Sequence, residues 1–196
     1  MRTSQEHLSS GRAGQKARTH QALVRALHGL LAEGADPSVA EVAEAAGISR
    51  TTAYRYFPDR LALLQAALPE TGRTSLLGPD APAGARERLE VVLAAHFDFL
   101  LQWEPQLRAA LRSSLTPGAA QPSLRGGRAV AWYADALSPL GSERPDLDRH
   151  SVAVRLRSVA GIESFVWLTD VAGLGADAAC AVMRLNALAV FDSATA

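Results

Sequence analysis

Apolar residues return every three or four positions along most of this chain, and the rhythm breaks at proline and glycine. Leu23, Ala26, Leu27, Leu30 and Leu31 mark one face of a helix that Gly34 closes. Residues 1–14 ahead of it are polar and without period, so a disordered arm is expected there. Ser38 and Glu41 have capping-box spacing, in which the hydroxyl and the carboxylate satisfy each other's backbone N–H groups. Val39, Val42, Ala43 and Ala46 then form the apolar face of a second helix. Gly47 suits a tight turn, Ile48 plugs it, and Ser49 caps a short third helix running through Tyr56. Phe57 precedes Pro58, which ends that helix, and Pro58 is expected in the first turn of a fourth one bearing Leu61, Leu64 and Leu68.

Pro69, Gly72, Gly78, Pro79, Pro82 and Gly84 form a breaker-rich link. The expected organisation is an arm over 1–14, one domain over 15–68 and a second over 83–196. In the second, Leu89, Val92, Leu93, His96, Phe97 and Leu100 draw a clear helical stripe. A shorter helix follows Pro105 with Leu107, Leu111 and Leu115, "TPGAAQPSLRGG" reads as a loop, and "RAVAWYADAL" reads as helix. Two helices, over roughly 147–171 and 176–193, close the chain. Strand-like alternation and internal repeats are both missing, so the fold class is all-α.

Composition narrows the function. The chain has 196 residues, 48% hydrophobic and 20% charged, with zero formal net charge, which suits a soluble protein and not a broadly basic nucleic-acid coat. Through Arg60, eight basic residues stand against six acids, so nucleic-acid binding would depend on local placement. No apolar run reaches membrane-spanning length, and the N-terminus lacks the apolar centre of a secretory signal. Cys180 is the single cysteine, which leaves no intrachain disulfide. A cytoplasmic location is expected.

"GISRTTAYRYF" carries an unusual density of long hydrogen-bonding groups. A capped helix, a glycine turn and a hydroxyl-rich short helix make a helix-turn-helix, whose second helix enters the major groove. Arg50 can donate two hydrogen bonds to guanine and the Thr51 methyl can meet a thymine methyl, with Tyr54 on the same face. Thr52, Arg55 and Tyr56 flank that face and suit phosphate oxygens. Ala53 and Phe57, four apart, face inward.

The segment "SVAEVAEAAGISRTTAYRYFPDRLALL" resembles the DNA-binding signature of the TetR family of bacterial transcriptional regulators, over roughly residues 15–68. The resemblance implies a homodimer whose N-terminal domains bind successive major grooves of a palindrome-like double-stranded operator. A small-molecule effector bound in the C-terminal domain would alter their spacing. By position it implies base contacts from Arg50, Thr51 and Tyr54, and phosphate contacts from Thr52, Arg55, Tyr56 and Arg60. Thr19 and Ser38, at the expected entrances to the first two helices, fit either phosphate contact or capping alone. Arg60 stands where the family usually has lysine, and Ala53 where a bulkier apolar residue is common.

The last two helices are expected to dimerise, because the final one is apolar nearly all round. The expected interface holds Val159, Val166, Val182, Met183, Leu185, Leu188 and Phe191, with Gly161 allowing close helix approach. Aromatic and isolated polar groups on apolar helices suggest an effector pocket from His96, Phe97, Phe99, Trp103, Trp132, Tyr133, Arg157, Phe165 and Trp167. His96 fits a satisfied core position as well as it fits a ligand contact.

An enzyme would need a catalytic constellation, and the sequence offers none. Glu-x-x-His pairs, metal-ligand histidine spacing and phosphate-binding glycine patterns are absent, so no cofactor and no metal are expected. Cys180 sits among alanine and valine, unlike an activated nucleophile. The sequence reading is a ligand-responsive transcriptional repressor. An activator of the same architecture and a ligand-sequestering helical dimer remain as alternatives.

Overall fold

A computed structural model describes residues 4–68, 74–115 and 128–196, with the backbone alone for 4–13 and 128. Among the described residues every regular element is a helix: α1 (Ser4–Ala32), α2 (Val39–Ala45), α3 (Arg50–Tyr56), α4 (Arg60–Ala67), α5 (Ala85–Gln102), α6 (Glu104–Ser114), α7 (Arg128–Ala136), α8 (Leu140–Glu143), α9 (Arg149–Val159), α10 (Ile162–Val166), a π-helical turn (Trp167–Val171) and α11 (Ala176–Thr195). The expected loop over 116–127 and the Pro69–Gly72 part of the link lie outside the described residues. The chain divides into two compact units, Met1–Pro69 with Arg112–Ala119, and Glu70–Leu111 with Ala120–Ala196.

The first unit is built around α1, against which α2 and α4 pack, while α3 packs on α2. Leu23, Leu27, Leu63 and Leu64 are fully buried at its centre, joined by Val42, Ala43 and Ala53. Burying each leucine contributes about 1.5–3 kcal/mol. His28 Nε2 lies 2.8 Å from the carbonyl of Ala67, linking α1 to the end of α4. The His20 and Phe57 rings stand 5.0 Å apart and hold α1 against the end of α3.

One expectation changes here. The stretch expected as a disordered arm is helical from Ser4 onward, continuous with α1. Extending an existing helix adds one hydrogen bond per residue fixed, so polar residues propagate it although they could not nucleate it.

The second unit packs α5, α7, α9 and α11 around one apolar cluster, with α7 between α5 and α9 and α11 against both α5 and α9. Leu89, Leu93, Tyr133, Leu137, Leu156, Phe165 and Met183 are fully enclosed. The single helix expected over roughly 147–171 is interrupted. α9 stops at Val159, Gly161 is extended (φ −105°, ψ 176°), and α10 restarts at Ile162 before passing into the π-helical turn.

Side chains explain the interruption. Arg157 reaches Glu163 with guanidinium-to-carboxylate distances of 2.9 and 3.3 Å, and a Cβ at Gly161 would overlap that guanidinium. Ser164 Oγ donates to the Ser158 carbonyl at 3.0 Å, replacing a helical N–H lost at the break. Gly161 therefore serves the passage of an arginine side chain, where close helix approach was expected.

Candidate nucleic-acid interface

The helix-turn-helix is fixed by its caps. Glu41 N–H donates to Ser38 Oγ at 3.3 Å and Ser38 N–H to Glu41 Oε2 at 2.7 Å, closing the capping box. The Ser38 backbone and hydroxyl bonds hold the Glu41 carboxyl below the usual carboxylate range. At the other end of α2, Gly47 N–H bonds the Glu44 carbonyl at 3.0 Å and Ile48 N–H the Ala43 carbonyl at 2.8 Å. This Schellman pair requires the left-handed φ of 65° at Gly47. Ser49 then caps α3 through Thr52 N–H at 3.3 Å, and Asp59 caps α4 through Ala62 N–H at 2.8 Å. Pro58 accordingly lies before the cap of α4, and its expected place in the first helical turn belongs to Arg60 and its successors.

These caps divide α3 cleanly. Ala53 and Phe57 are buried beneath it, whereas Arg50, Thr51, Tyr54 and Arg55 are exposed, Tyr54 at 46%. Thr52 and Tyr56 are half-buried at the edges. Thr52 Oγ1 accepts from Ser49 Oγ at 2.9 Å, which leaves the threonine's own hydroxyl proton for another acceptor.

Three expected phosphate contacts are placed differently. Thr19 is inside α1, not at its entrance, and its hydroxyl donates to the Gln15 carbonyl at 3.1 Å, because the helix extends upstream to Ser4. Ser38 Oγ donates to Glu41 Oε2 at 2.7 Å while accepting the cap bond, so both of its functions are used locally. Arg60 donates to the Pro37 carbonyl at 3.0 Å, to Ser113 Oγ at 2.9 Å and to Asp36, a partner it shares with Arg112. Three acceptors inside its own unit therefore hold the Arg60 guanidinium. Gln15 and Lys16, which were not among the expected contacts, line a cleft of about 420 Å³ with Arg55 and Tyr56. The signal available for them was a lone lysine one turn ahead of His20 on the same helix.

In the second unit the structure gathers five of the expected pocket residues. The His96 ring lies 6.3, 5.5 and 5.7 Å from those of Phe97, Trp132 and Tyr133, and Phe99 meets Trp132 at 5.8 Å. His96 Nδ1 is 2.7 Å from the Tyr133 hydroxyl. Burial, reinforced by the Arg157 charge and opposed by Glu163, pushes His96 down to about 3, so the imidazole is neutral at pH 7. Burial likewise raises Tyr133 above its ordinary value, so the phenol keeps its proton. Phe165 is fully buried with the Arg108 guanidinium 5.9 Å from its ring centroid, and Trp103 is half-buried. Arg157 is spent on Glu163, and Trp167 is 57% exposed, outside any buried pocket. Gln106, which the sequence did not single out, has a buried side-chain carbonyl without a hydrogen-bond partner.

The expected dimer residues split into two groups. Met183, Leu188 and Phe191 are buried in the core of their own unit, which removes them from a surface interface. Leu185 is 64% exposed, and Val159, Val166 and Val182 are half-buried. Trp167 and Val171, on the π-helical turn, are further exposed large apolar residues that the sequence reading had not assigned to an interface. Val159, Glu163, Ser164, Trp167, Leu168 and Asn186 line a shallow depression of about 350 Å³ there.

The model for bacterial regulatory proteins of the tetR family matches residues 23–67, which takes in α2, α3 and α4. A crystal structure from Rhodococcus sp., assigned to the TetR-family transcriptional regulators, superposes with a TM-score of 0.61 at 22% identity. The match covers 91% of this chain and 100% of that one, and establishes a shared fold. No curated protein matches the chain.

Proposed function

We infer that this chain, which belongs to the tetR family of bacterial regulatory proteins through its N-terminal domain, is a dimeric repressor that releases its operator when a small molecule occupies the second unit. The observation that carries the reading is the outward face of α3. Arg50, Thr51 and Tyr54 stand exposed on a helix whose opposite side, Ala53 and Phe57, is locked into the core. An arginine there can read guanine and a threonine methyl can meet thymine, while Thr52, Arg55 and Tyr56 supply phosphate donors at the edges. The preference for repression over activation follows the resemblance to the family and no particular residue.

Dimerisation would use the exposed apolar side chains of Leu185, Trp167 and Val171 together with the half-buried Val159, Val166 and Val182. A C2 pair of such faces would present two recognition helices to half-sites about one helical turn apart. The effector reading rests on the aromatic group around His96, with the unpaired Gln106 carbonyl as a second polar feature of the same unit. Such surroundings suit a flat or lipophilic molecule carrying one or two polar groups. Among the described residues no helix is long and apolar enough to cross a membrane. A bacterial protein that works on DNA would act in the cytoplasm.

The test is a titration of the protein into DNA from upstream of its own gene, comparing wild type with Tyr54→Ala. Loss of selective binding with an unchanged sedimentation coefficient is expected. A variant that binds as the wild type does removes Tyr54 from the interface.

A further inference from the structure

We propose that the cleft between α1 and the last turn of α3 is a backbone-phosphate site in which Lys16 joins Arg55 and Tyr56 on one DNA strand. The proposal rests on the DNA-binding reading above and extends the interface to the first helix. About 420 Å³ of open space is lined by Gln15, Lys16, Arg55 and Tyr56, with no carboxylate among them.

The charged groups among the described residues that line the cleft, Lys16 and Arg55, are both donors. Lys16 and Arg55 are exposed cations with no carboxylate partner among the described residues. This contrasts with Arg60, Arg108, Arg144 and Arg157, each of which is paired with an acid. The Gln15 side-chain carbonyl accepts from Arg18 Nη2 at 2.9 Å, which leaves its amide N–H groups free to donate into the cleft. A site with two cationic donors and no carboxylate among its described lining residues suits an oxygen-rich anion.

Position selects which anion. Arg55, exposed, and Tyr56, half-buried at the edge of α3, directly follow Tyr54, so a duplex that meets Tyr54 with its base edges brings a phosphate beside them. α1 is held beside this site by His20, whose ring meets that of Phe57, the residue after Tyr56, at 5.0 Å in a tilted contact. Lys16 lies one helical turn before His20 and thus shares that anchor. A phosphate held from two helices fixes how deeply α3 enters the groove, without reading sequence.

Because phosphate contacts are independent of sequence, the test needs no operator. Wild type, Lys16→Ala and Lys16→Arg are titrated by fluorescence anisotropy into a short random-sequence duplex over a series of salt concentrations. Lys16→Ala is expected to bind several-fold more weakly, with the slope of log K against log salt shallower by about 0.9, and Lys16→Arg is expected to keep the slope. A wild type that fails to bind the duplex at low salt defeats the DNA-binding reading itself. Wild-type binding with an unchanged slope in Lys16→Ala overturns the phosphate site alone. Saturable binding of inorganic phosphate that Lys16→Ala abolishes, with the DNA slope unaltered, assigns the cleft to a free anion and also overturns it.

Discussion

The Tyr133 hydroxyl lies 2.7 Å from His96 Nδ1, a neutral pair sealed among Phe97 and Trp132 in the second unit. Because burial holds the folded imidazole near 3 against an ordinary 6.5, the unfolded chain binds the proton more readily between those values. Stability from this site is therefore complete above about pH 6.5 and declines as the pH falls toward 3. Between pH 7 and 5 the loss should be about 2 kcal/mol. His96→Gln should flatten that part of the pH profile, measured by urea midpoints at the two pH values. An equal decline in wild type and variant would show that other groups govern acid sensitivity.

Arg60 should behave as a structural residue of the first unit and not as a DNA ligand. Arg60→Ala strips donors from the Pro37 carbonyl, Ser113 and Asp36. The expected cost is about 1 kcal/mol, because the ion pair is partly solvent-screened. The salt slope of DNA binding should stay at its wild-type value, whereas a phosphate ligand would lower it by about 0.9.

Met183 and Leu185, two positions apart on α11, should separate folding from assembly. Met183 is fully buried, so Met183→Ala should cost about 2–5 kcal/mol in denaturant unfolding. Leu185 is 64% exposed, so Leu185→Glu should leave the chain folded by circular dichroism but monomeric by sedimentation equilibrium. A Leu185→Glu dimer of undiminished affinity would move the interface elsewhere.

Gly47 sits at φ 65° with open space around its Cα. Gly47→Ala therefore meets no steric neighbour and is penalised by backbone conformation alone, at about 1 kcal/mol. Thermal denaturation should show the loss, with the α2–α3 turn still formed and DNA selectivity retained.

The helices legible in the sequence were those whose determinants are local. Ser38 with Glu41, Gly47 and Ser49 act over three to five residues, and the structure forms each of those caps. The features missed depend on distant partners. Asp36 and Arg60 meet Arg112 and Ser113 across more than fifty residues, a link no periodicity can register. The break at Gly161 arises from a crossing side-chain pair, while the pattern of Val152, Leu156, Val159 and Ile162 continues through it as if unbroken. On α11 the sequence saw apolar residues on every side, but only contact with α5, α9 and α10 decides that Met183 faces inward and Leu185 outward. The exposed side of α3 could be read ahead of time because Ala53 and Phe57, spaced by one turn, already marked its buried side.

The central claim, sequence-selective DNA binding through α3, is tested most directly by selecting bound duplexes from a random-sequence pool. Enrichment of an inverted repeat with half-sites about one helical turn apart, lost in Tyr54→Ala, is the result this account predicts. Repeated rounds that enrich no common sequence, from protein that is folded and dimeric, would contradict it.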